Sequence, residues 1–233
     1  MVMNYVKRIV CLANSRKPPS GRCIAGKEIS ENAYGPWIRP VSARPSAEVS
    51  EEERRYENGR DPRLLDIIDV PMVKAAPSLH QAENHMIDGD YYWAKTGELT
   101  WAELGRAVDR PATLWANGDS TQNGLNDRVS LEAARDVITS LVLIRPASLS
   151  IQVQTEGAAF GNPRRRVRAD FRYLQTDYLL VVTDPVAERA FLAKPDARYR
   201  FDEEAYLCVS LAAPYTDNYC YKLAAGVIIK ELL

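Results

Sequence analysis

The last third of the chain alternates segments of β-strand character with one helical segment, and this order limits the folds open to it. Five segments are rich in β-branched and apolar residues, which favours strands. They cover residues 140–154, 165–174, 178–183, 205–213 and 219–229. Good helix formers follow Asp184-Pro185 and end at Pro195, so we expect a short helix there. The predicted order is three strands, one helix and two strands.

This order is that of the OB-fold, a small Greek-key barrel often used to bind nucleic acid. The first half of the chain repeats it, with a helix expected over residues 46–59 between the third and fourth strands. The four strands predicted there cover residues 5–15, 22–29, 35–42 and 65–73. Two segments compete for the fifth strand, residues 77–85 and, less favoured, residues 111–117.

The sequence therefore predicts a mainly β fold with minor α content, consisting of two OB-fold-like small Greek-key barrels with a partly helical connector. The boundaries are residues 1–110 for the first barrel, 111–136 for the connector and 137–233 for the second barrel. A chain of 233 residues accommodates two barrels of about 100 residues each.

The net charge of the chain does not indicate a polyanionic partner such as nucleic acid. The chain has 30 basic and 31 acidic residues and a net charge of −1, so any binding of nucleic acid must depend on local clusters. Apolar residues make up 46% and charged residues 26%, as in ordinary soluble proteins. No apolar run has the length of a membrane span, and the first residues lack the apolar core of a signal peptide. We expect a cytoplasmic protein without a membrane partner.

An arginine run at the start of the second strand of the second barrel is the main functional candidate. Its members are Arg164, Arg165, Arg166, Arg168 and Arg172, opposed by Asp170. OB-folds commonly bind single strands on the face of their second and third strands, so these arginines are candidates for contacting phosphate. The alternative is a solvated edge whose arginines discourage strand pairing. Phe171 and Tyr173 alternate with the arginines, and if they face the core, stacking falls to other residues.

A second basic candidate is the first hairpin of the chain, where a stiff loop contains Pro18, Pro19 and Gly21. Its cations are Arg16, Lys17, Arg22 and Lys27, opposed by Glu28. In the next strand, Trp37 and Arg39 alternate so as to share a face, a ring beside a planar cation of the kind that stacks on bases.

The last hairpin loop supplies aromatic candidates. Tyr215 and Tyr219 flank it, at the place where OB-folds have a loop that closes over ligand. Lys222 follows in the last strand, and either contacts phosphate or is an ordinary surface lysine.

No metal, cofactor or catalytic motif is recognisable. Cys11, Cys23, Cys208 and Cys220 lack the close spacing of structural zinc ligands, which favours reduced cysteines buried in strands. Phosphate-binding loops, dinucleotide-binding loops and hydrolase signatures are missing from the sequence. We therefore expect no cofactor, no metal and no catalytic residues.

Several segments resemble the dual OB-containing domain family, whose members have two OB-folds in one bacterial chain. They are CLANSRKPPSGRCIAGKE from Cys11, GPWIRPVS from Gly35, AEN from Ala82, ADFRY from Ala169 with YLLVVTDP after it, and CYKLAAGVI from Cys220. The segments span almost the whole chain. The resemblance implies a role connected with nucleic acid, such as sensing in a bacterial defence system, with other proteins of that system as further partners. It supplies no catalytic residues.

Three functions remain open from the sequence. The first is a non-catalytic module that binds single-stranded or structured nucleic acid, either DNA or RNA. The second is an enzyme that processes nucleotides or nucleic acid, centred on Trp37, Arg39, Asn84 and His85, although no nucleophile or metal set accompanies them. The third is a protein-interaction adaptor, because OB-folds also serve as docking modules and fold alone does not fix function.

Overall fold

A computed structural model describes residues 4–31 and 33–233. Strands make up 49% and helices 12%, and the strands form two sheets, which confirms the mainly β prediction. The chain divides into two compact units. The first runs to Val108 and also includes Ile138–Ser140, and the second consists of Asp109–Val137 and Leu141–Leu233. Within the described residues, no helix has the length and apolar character that crossing a membrane requires.

The first unit contains the following strands and helices among the residues described: β1 (Tyr5–Lys17), β2 (Gly21–Ser30), β3 (Ala33–Val41), α1 (Glu51–Arg54), β4 (Asp66–Ala75), β5 (Asn84–Ile87), β6 (Ala94–Glu98) and α2 (Trp101–Leu104). Ser50 begins α1 with the predicted capping box, since its hydroxyl accepts from the Glu53 amide and the Glu53 carboxylate accepts from the Ser50 amide. The helix itself is shorter than the predicted residues 46–59.

Strand pairing in the first unit has the OB-fold order. The strands are neighbours in the sequence β1-β2-β3-β5-β4, and β4 pairs back onto β1, so the sheet closes on itself. Strands β3 and β5 are parallel, and α1 lies between β3 and β4 in the chain. At Gly26 of β2 an added Cβ would lie 2.0 Å from the Val10 carbonyl oxygen, so only glycine permits this close approach. A core of apolar side chains that includes Ile9, Ile38 and Trp93 fills the unit.

The fifth strand of the first unit lies at the end of the favoured candidate segment. Strand β5 begins at Asn84, whereas that segment was residues 77–85. The other candidate, residues 111–117, is not a strand and belongs to the second unit.

The second unit contains these strands and helices in the part of the chain that the structure describes: β7 (Arg128–Ser130), α3 (Leu131–Ala134), β8 (Leu141–Ile144), β9 (Ser148–Glu156), β10 (Arg164–Tyr173), β11 (Thr176–Val182), α4 (Pro185–Leu192), β12 (Ala197–Phe201), β13 (Tyr206–Leu211) and β14 (Tyr219–Ile228). Asp184 begins α4, as its carboxylate accepts from the amides of Val186 and Ala187.

The second unit repeats the same order. Its strands are neighbours in the sequence β12-β9-β10-β11-β14-β13-β8, with β11 and β14 parallel. The predicted first strand is interrupted around Pro146, so β8 pairs with β13 while β9 pairs with β10. Together β8 and β9 take the place of β1 in the first unit, which pairs with β4 through one half and with β2 through the other. Strand β12, which the sequence analysis did not predict, adds to the outer edge of β9.

The segment predicted as a connector is packed within the second unit. Leu114 is 1% exposed and belongs to its core. Leu125 exchanges backbone hydrogen bonds of 3.2 and 3.0 Å with Leu179 of β11. Further along, β7 pairs with the beginning of β14. Residues 111–136 therefore form part of the second barrel's structure.

Candidate nucleic-acid interface

Strand β10 has one buried face and one face rich in arginine. Val167, Ala169, Phe171 and Tyr173 are at most 7% exposed and pack in the core, so the two aromatic rings are not available for stacking on bases. The opposite face has Arg164, Arg166, Arg168, Asp170 and Arg172, because side chains alternate across a strand.

Strand β12 extends this face with two arginines that the sequence analysis missed. Through β9, Arg198 aligns with Gln152 and Arg168, and Arg200 aligns with Ser150 and Asp170. Tyr199 and Phe201 alternate with them and pack against the core. The alternation in Ala197–Phe201 is the signal that could have revealed a strand with two outward arginines.

We call the outward residues Arg164, Arg166, Arg172, Arg198 and Arg200 the arginine face. Two of them have ion pairs: Arg198 pairs with Asp170, and the Arg172 Nε lies 3.7 Å from the Asp177 Oδ1. Arg164, Arg166 and Arg200 have no ion pair within 4.0 Å with any described residue, although the charge of Arg166 helps to lower the pKa of Glu156. Polar side chains of β9, including Gln152 and Gln154, lie between the arginines of β10 and β12.

Arg168 is on the same side of β10 but is buried, at 5% exposure. Its guanidinium donates to both Glu156 carboxylate oxygens, at 2.6 and 3.0 Å, and the Asp127 Oδ2 lies 3.8 Å from its Nη1. Burial alone would raise the pKa of Glu156, but the hydrogen bonds from Arg168 and Gln154 hold that pKa below its ordinary value. These acids neutralise the charge of the buried Arg168, so the structure removes this residue from the predicted contact set.

Arg165 points away from the arginine face and binds the end of helix α4. Its Nε donates to the Asp196 carboxylate at 2.7 Å, and its two terminal nitrogens donate to the carbonyl oxygens of Leu192 and Lys194 at 2.7 and 2.6 Å. A cation at the carboxyl end of a helix satisfies carbonyl groups that lack partners within the helix. Arg165 therefore has a structural role that the run of arginines in the sequence did not reveal.

The loop between β13 and β14 presents the tyrosines predicted there. Tyr215 is 65% exposed, and its ring meets the Tyr221 ring edge-on at 6.1 Å between centroids. Tyr219 is half-buried, with the Arg128 guanidinium 4.0 Å from its ring centroid. Asp217 accepts from the Tyr221 hydroxyl and fixes the loop. Tyr215 is thus the ring most open to a ligand on this hairpin.

Lys222 is not a surface lysine, since it is 1% exposed. Its Nζ donates to the Ala116 carbonyl at 2.7 Å and to the Asn117 side-chain oxygen at 2.9 Å, and lies 5.2 Å from the Tyr178 ring centroid. Burial lowers the pKa of Lys222 to about 7. The residue fastens residues 116–117 to the barrel, and this burial rules out the phosphate contact we considered for it.

The basic hairpin of the first unit keeps three of its four cations at the surface. Arg16 is exposed and lies opposite Arg22 in the β1–β2 register, while Arg22 and Lys17 are half-buried. Lys27 is buried at 8% exposure, and its Nζ donates to the Ala107 carbonyl at 2.7 Å. Burial takes Lys27 out of the predicted contact set.

The residues of the alternative enzyme centre come together, but mostly in the interior. Pairing of β3 with β5 places Arg39 opposite Asn84, and Trp37, Arg39 and Asn84 are 8%, 1% and 4% exposed. The Arg39 Nη2 lies 3.1 Å from the Glu83 Oε1 and donates to the Ser140 hydroxyl at 2.8 Å. Burial of Trp37 and Arg39 leaves neither open for base stacking, contrary to expectation.

His85, the remaining member of that centre, is half-buried and its Nδ1 lies 2.6 Å from the Tyr5 hydroxyl. Burial, followed by the charge of Lys7, lowers the pKa of His85. Among the residues described, no group of three or more His, Cys, Asp or Glu side chains has an arrangement that could hold a metal ion.

The four cysteines lie within the barrels and none forms a disulfide. Cys11, Cys208 and Cys220 are buried and Cys23 is partly buried. Burial raises the pKa of the Cys220 thiol to about 11, which disfavours the thiolate that binds metal or attacks substrates.

Comparison with known proteins gave a family match, which covers almost the whole chain. Searches of the curated proteins and of the solved structures gave no match. The model of the dual OB-containing domain family matches residues 7–227, nearly the full length. Both units within that range have the same strand order with a helix between the third and fourth barrel strands. The chain therefore belongs to the dual OB-containing domain family.

Proposed function

We propose that this protein is a non-catalytic module that binds single-stranded or structured nucleic acid, DNA or RNA, through the arginine face of its second unit. The observation that carries the proposal is the grouping of five outward arginines on β10 and β12, the two strands that flank β9. Of these arginines, Arg164, Arg166 and Arg200 have no ion pair among the described residues. Membership of a family with OB-folds also supports binding of nucleic acid, because OB-folds are often used for it.

The chemistry of the arginine face suits a phosphate backbone. Guanidinium groups offer paired donors that match phosphate oxygens, and arginines that form no direct ion pair do not have to break one before they bind. Gln152, Gln154 and Ser150 lie between them and offer hydrogen bonds to phosphate or sugar. Contacts of this kind orient a strand without reading its bases, so we expect little sequence preference.

Tyr215 offers the stacking that the arginine face lacks. Its ring is 65% exposed at the tip of the β13–β14 loop, and base stacking on an aromatic ring tolerates any sequence. In the first unit, Arg16, Lys17 and Arg22 form a smaller basic surface, which we propose as a separate contact for nucleic acid. The buried setting of Trp37, Arg39 and Asn84 argues against the enzyme alternative, because a substrate would have no access to them.

Fluorescence anisotropy with labelled single-stranded DNA and RNA tests the proposal. We expect the triple variant Arg164→Ala, Arg166→Ala, Arg200→Ala to lose at least tenfold in affinity for both polymers. The matched control is Lys74→Ala, Arg135→Ala, Arg189→Ala, which removes three exposed cations of other surfaces and should bind like the wild type. If the arginine-face variant binds with the affinity of the wild type, the arginine face is not the binding surface. If the wild-type protein itself binds neither polymer, the result favours the adaptor alternative.

A further inference from the structure

A cavity in the first unit lies where the chain between α1 and β4 meets the beginning of β6. Its volume is about 580 Å³, and its lining includes Tyr56, Arg60, Arg63, Asp66, Tyr92 and Trp93. Cavities that bind small molecules have volumes of roughly 300–1,000 Å³. The size therefore suits a ligand such as a mononucleotide, and none of the residues proposed above for binding polymer lines this cavity.

One lining residue has an unmet requirement for a hydrogen-bond acceptor. Trp93 is 1% exposed, and its buried indole Nε1 has no acceptor among the described residues. Buried N–H groups are almost always hydrogen-bonded, because an unpaired one retains the full cost of leaving water. The Trp93 side chain lines the cavity, and this unpaired N–H lies within the wall.

The charges around the cavity favour an anion. The Asp66 carboxylate pairs with Lys95 and accepts from the Tyr56 hydroxyl at 2.7 Å, and Asp61 pairs with the Arg54 guanidinium at 2.9 Å. Arg60 and Arg63 are exposed and have no ion pair with the described residues. The acids are thus largely neutralised by other cations. The guanidinium groups of Arg60 and Arg63 remain available to a ligand, and the exposed Glu57 contributes one negative charge nearby.

The rim of the cavity offers a planar surface. The Tyr92 ring is 52% exposed and the Arg55 guanidinium lies 5.9 Å from its centroid. An exposed aromatic ring beside cations is a suitable platform for a nucleobase, which stacks on such rings.

We propose that this cavity is a binding site for a nucleoside phosphate. The base stacks on Tyr92, the phosphates contact Arg60 and Arg63, and the ligand packs against the wall that contains Trp93. This site is separate from the arginine face and takes a small ligand in the first unit, so it goes beyond the polymer binding proposed above.

Isothermal titration of the full chain with ATP tests the site, with adenosine and inorganic triphosphate as partial ligands. We expect ATP to bind and each partial ligand to bind at least tenfold more weakly. The double variant Arg60→Ala, Arg63→Ala should weaken ATP binding at least tenfold. The single variant Tyr92→Leu should weaken it to a similar extent. The double variant Lys74→Ala, Arg135→Ala removes two exposed cations elsewhere and should leave ATP affinity unchanged.

A second readout reports on Trp93 directly. Its indole N–H resonance, assigned by its loss in Trp93→Phe, should shift on addition of ATP. Absence of binding by ATP, GTP, CTP and UTP at millimolar concentration would overturn the proposal, as would wild-type ATP affinity in the Arg60→Ala, Arg63→Ala variant. The arginine-face triple variant must keep its ATP affinity. If ATP binding is lost there instead, the nucleotide binds on the arginine face and the cavity is not its site.

Discussion

Arg165 shows how a single side chain can hold two elements of a barrel together. From the beginning of β10 it reaches Asp196 and two carbonyl oxygens at the carboxyl end of α4. Its neighbour Arg164 faces the other side and has one hydrogen bond, to the Asn162 side chain at 3.2 Å. Adjacent residues with the same charge therefore differ in function because alternation along the strand sends them to opposite faces.

We predict that Arg165→Ala lowers the free energy of unfolding by about 1–3 kcal/mol, because it removes charge-assisted hydrogen bonds and leaves the carbonyl groups of Leu192 and Lys194 without their donor. Arg164→Ala should change it by no more than about 0.5 kcal/mol. Urea denaturation of both variants measures the difference. Equal stabilities would mean that the contacts of Arg165 with α4 contribute nothing net.

Lys222 predicts a pH dependence of stability. Its pKa is about 7 in the folded protein against 10.5 for an ordinary lysine, so between these values the unfolded chain binds the additional proton. The free energy of unfolding should then rise with pH, by at most ~1.4 kcal/mol per pH unit from this residue. The negative charge of Asp127 raises the pKa of Lys222 and so opposes the effect of burial.

Urea denaturation between about pH 7 and pH 10 checks this prediction. The rise in stability should be reduced in Lys222→Met and retained in Lys74→Met, whose lysine is exposed. An unaltered slope in Lys222→Met would show that Lys222 titrates like an ordinary lysine.

The exposure of individual cations could not be read from the sequence. Charge and alternation separate the arginines of β10 from Phe171 and Tyr173, but they do not reveal that Glu156 and Asp127 enclose Arg168. Those partners come from another strand and from a segment far away in the chain, and no local pattern records their approach. The same applies to Lys222, whose partners Ala116 and Asn117 precede it by more than a hundred residues.

At the scale of elements, residues 111–136, which were predicted as a connector, are the clearest departure from expectation. The stretch has many turn-forming residues and little apolar content in its middle, which is typical of a linker. Leu114 is nevertheless 1% exposed in the core of the second unit, and Leu125 pairs with β11. Leu114, Val129 and Ala134 are buried, and backbone hydrogen bonds join the segment to β11 and β14. These scattered contacts attach the segment without producing a periodic signal.

This attachment predicts a stability effect that a linker would not show. Leu114→Ala should lower the free energy of unfolding by about 2–5 kcal/mol, the usual cost of removing a buried leucine side chain. Ile138→Ala is the control, since Ile138 is 87% exposed. Thermal or urea denaturation measures both, and a loss of less than about 0.5 kcal/mol for Leu114→Ala would restore the connector interpretation.

The principal strands were predictable because each is long and strongly patterned. The alternation in Arg164–Tyr173 and the apolar run before Asp184 gave β10 and β11 nearly as they occur. The short strands β6, β7 and β12 were not predicted. Each has at most five residues and pairs at the edge of a sheet, so position relative to other strands matters more than local pattern.

At the scale of the whole molecule, two units repeat one topology without an evident repeat in sequence. In each, the third and fifth barrel strands are parallel neighbours, through Arg39 and Asn84 in the first unit and through Val181 and Leu223 in the second. The order of elements was predictable because it depends on pattern alone. The two proposed binding sites were harder to predict from the sequence. The arginine face depends on the register of β12 with β9, and the cavity depends on Tyr92 and Arg60 lining the same space.

The most direct test of the arginine face is the salt dependence of binding to single-stranded DNA or RNA. Each phosphate contact on a single strand contributes roughly 0.7 to the slope of log affinity against log salt concentration. Removing Arg164, Arg166 and Arg200 together should therefore reduce the magnitude of that slope by about 2, while thermal melts show a folded protein. The account predicts this reduction in the triple variant and none in Lys74→Ala, Arg135→Ala, Arg189→Ala. An unchanged slope in the folded arginine-face variant would contradict the claim that these arginines bind the phosphate backbone.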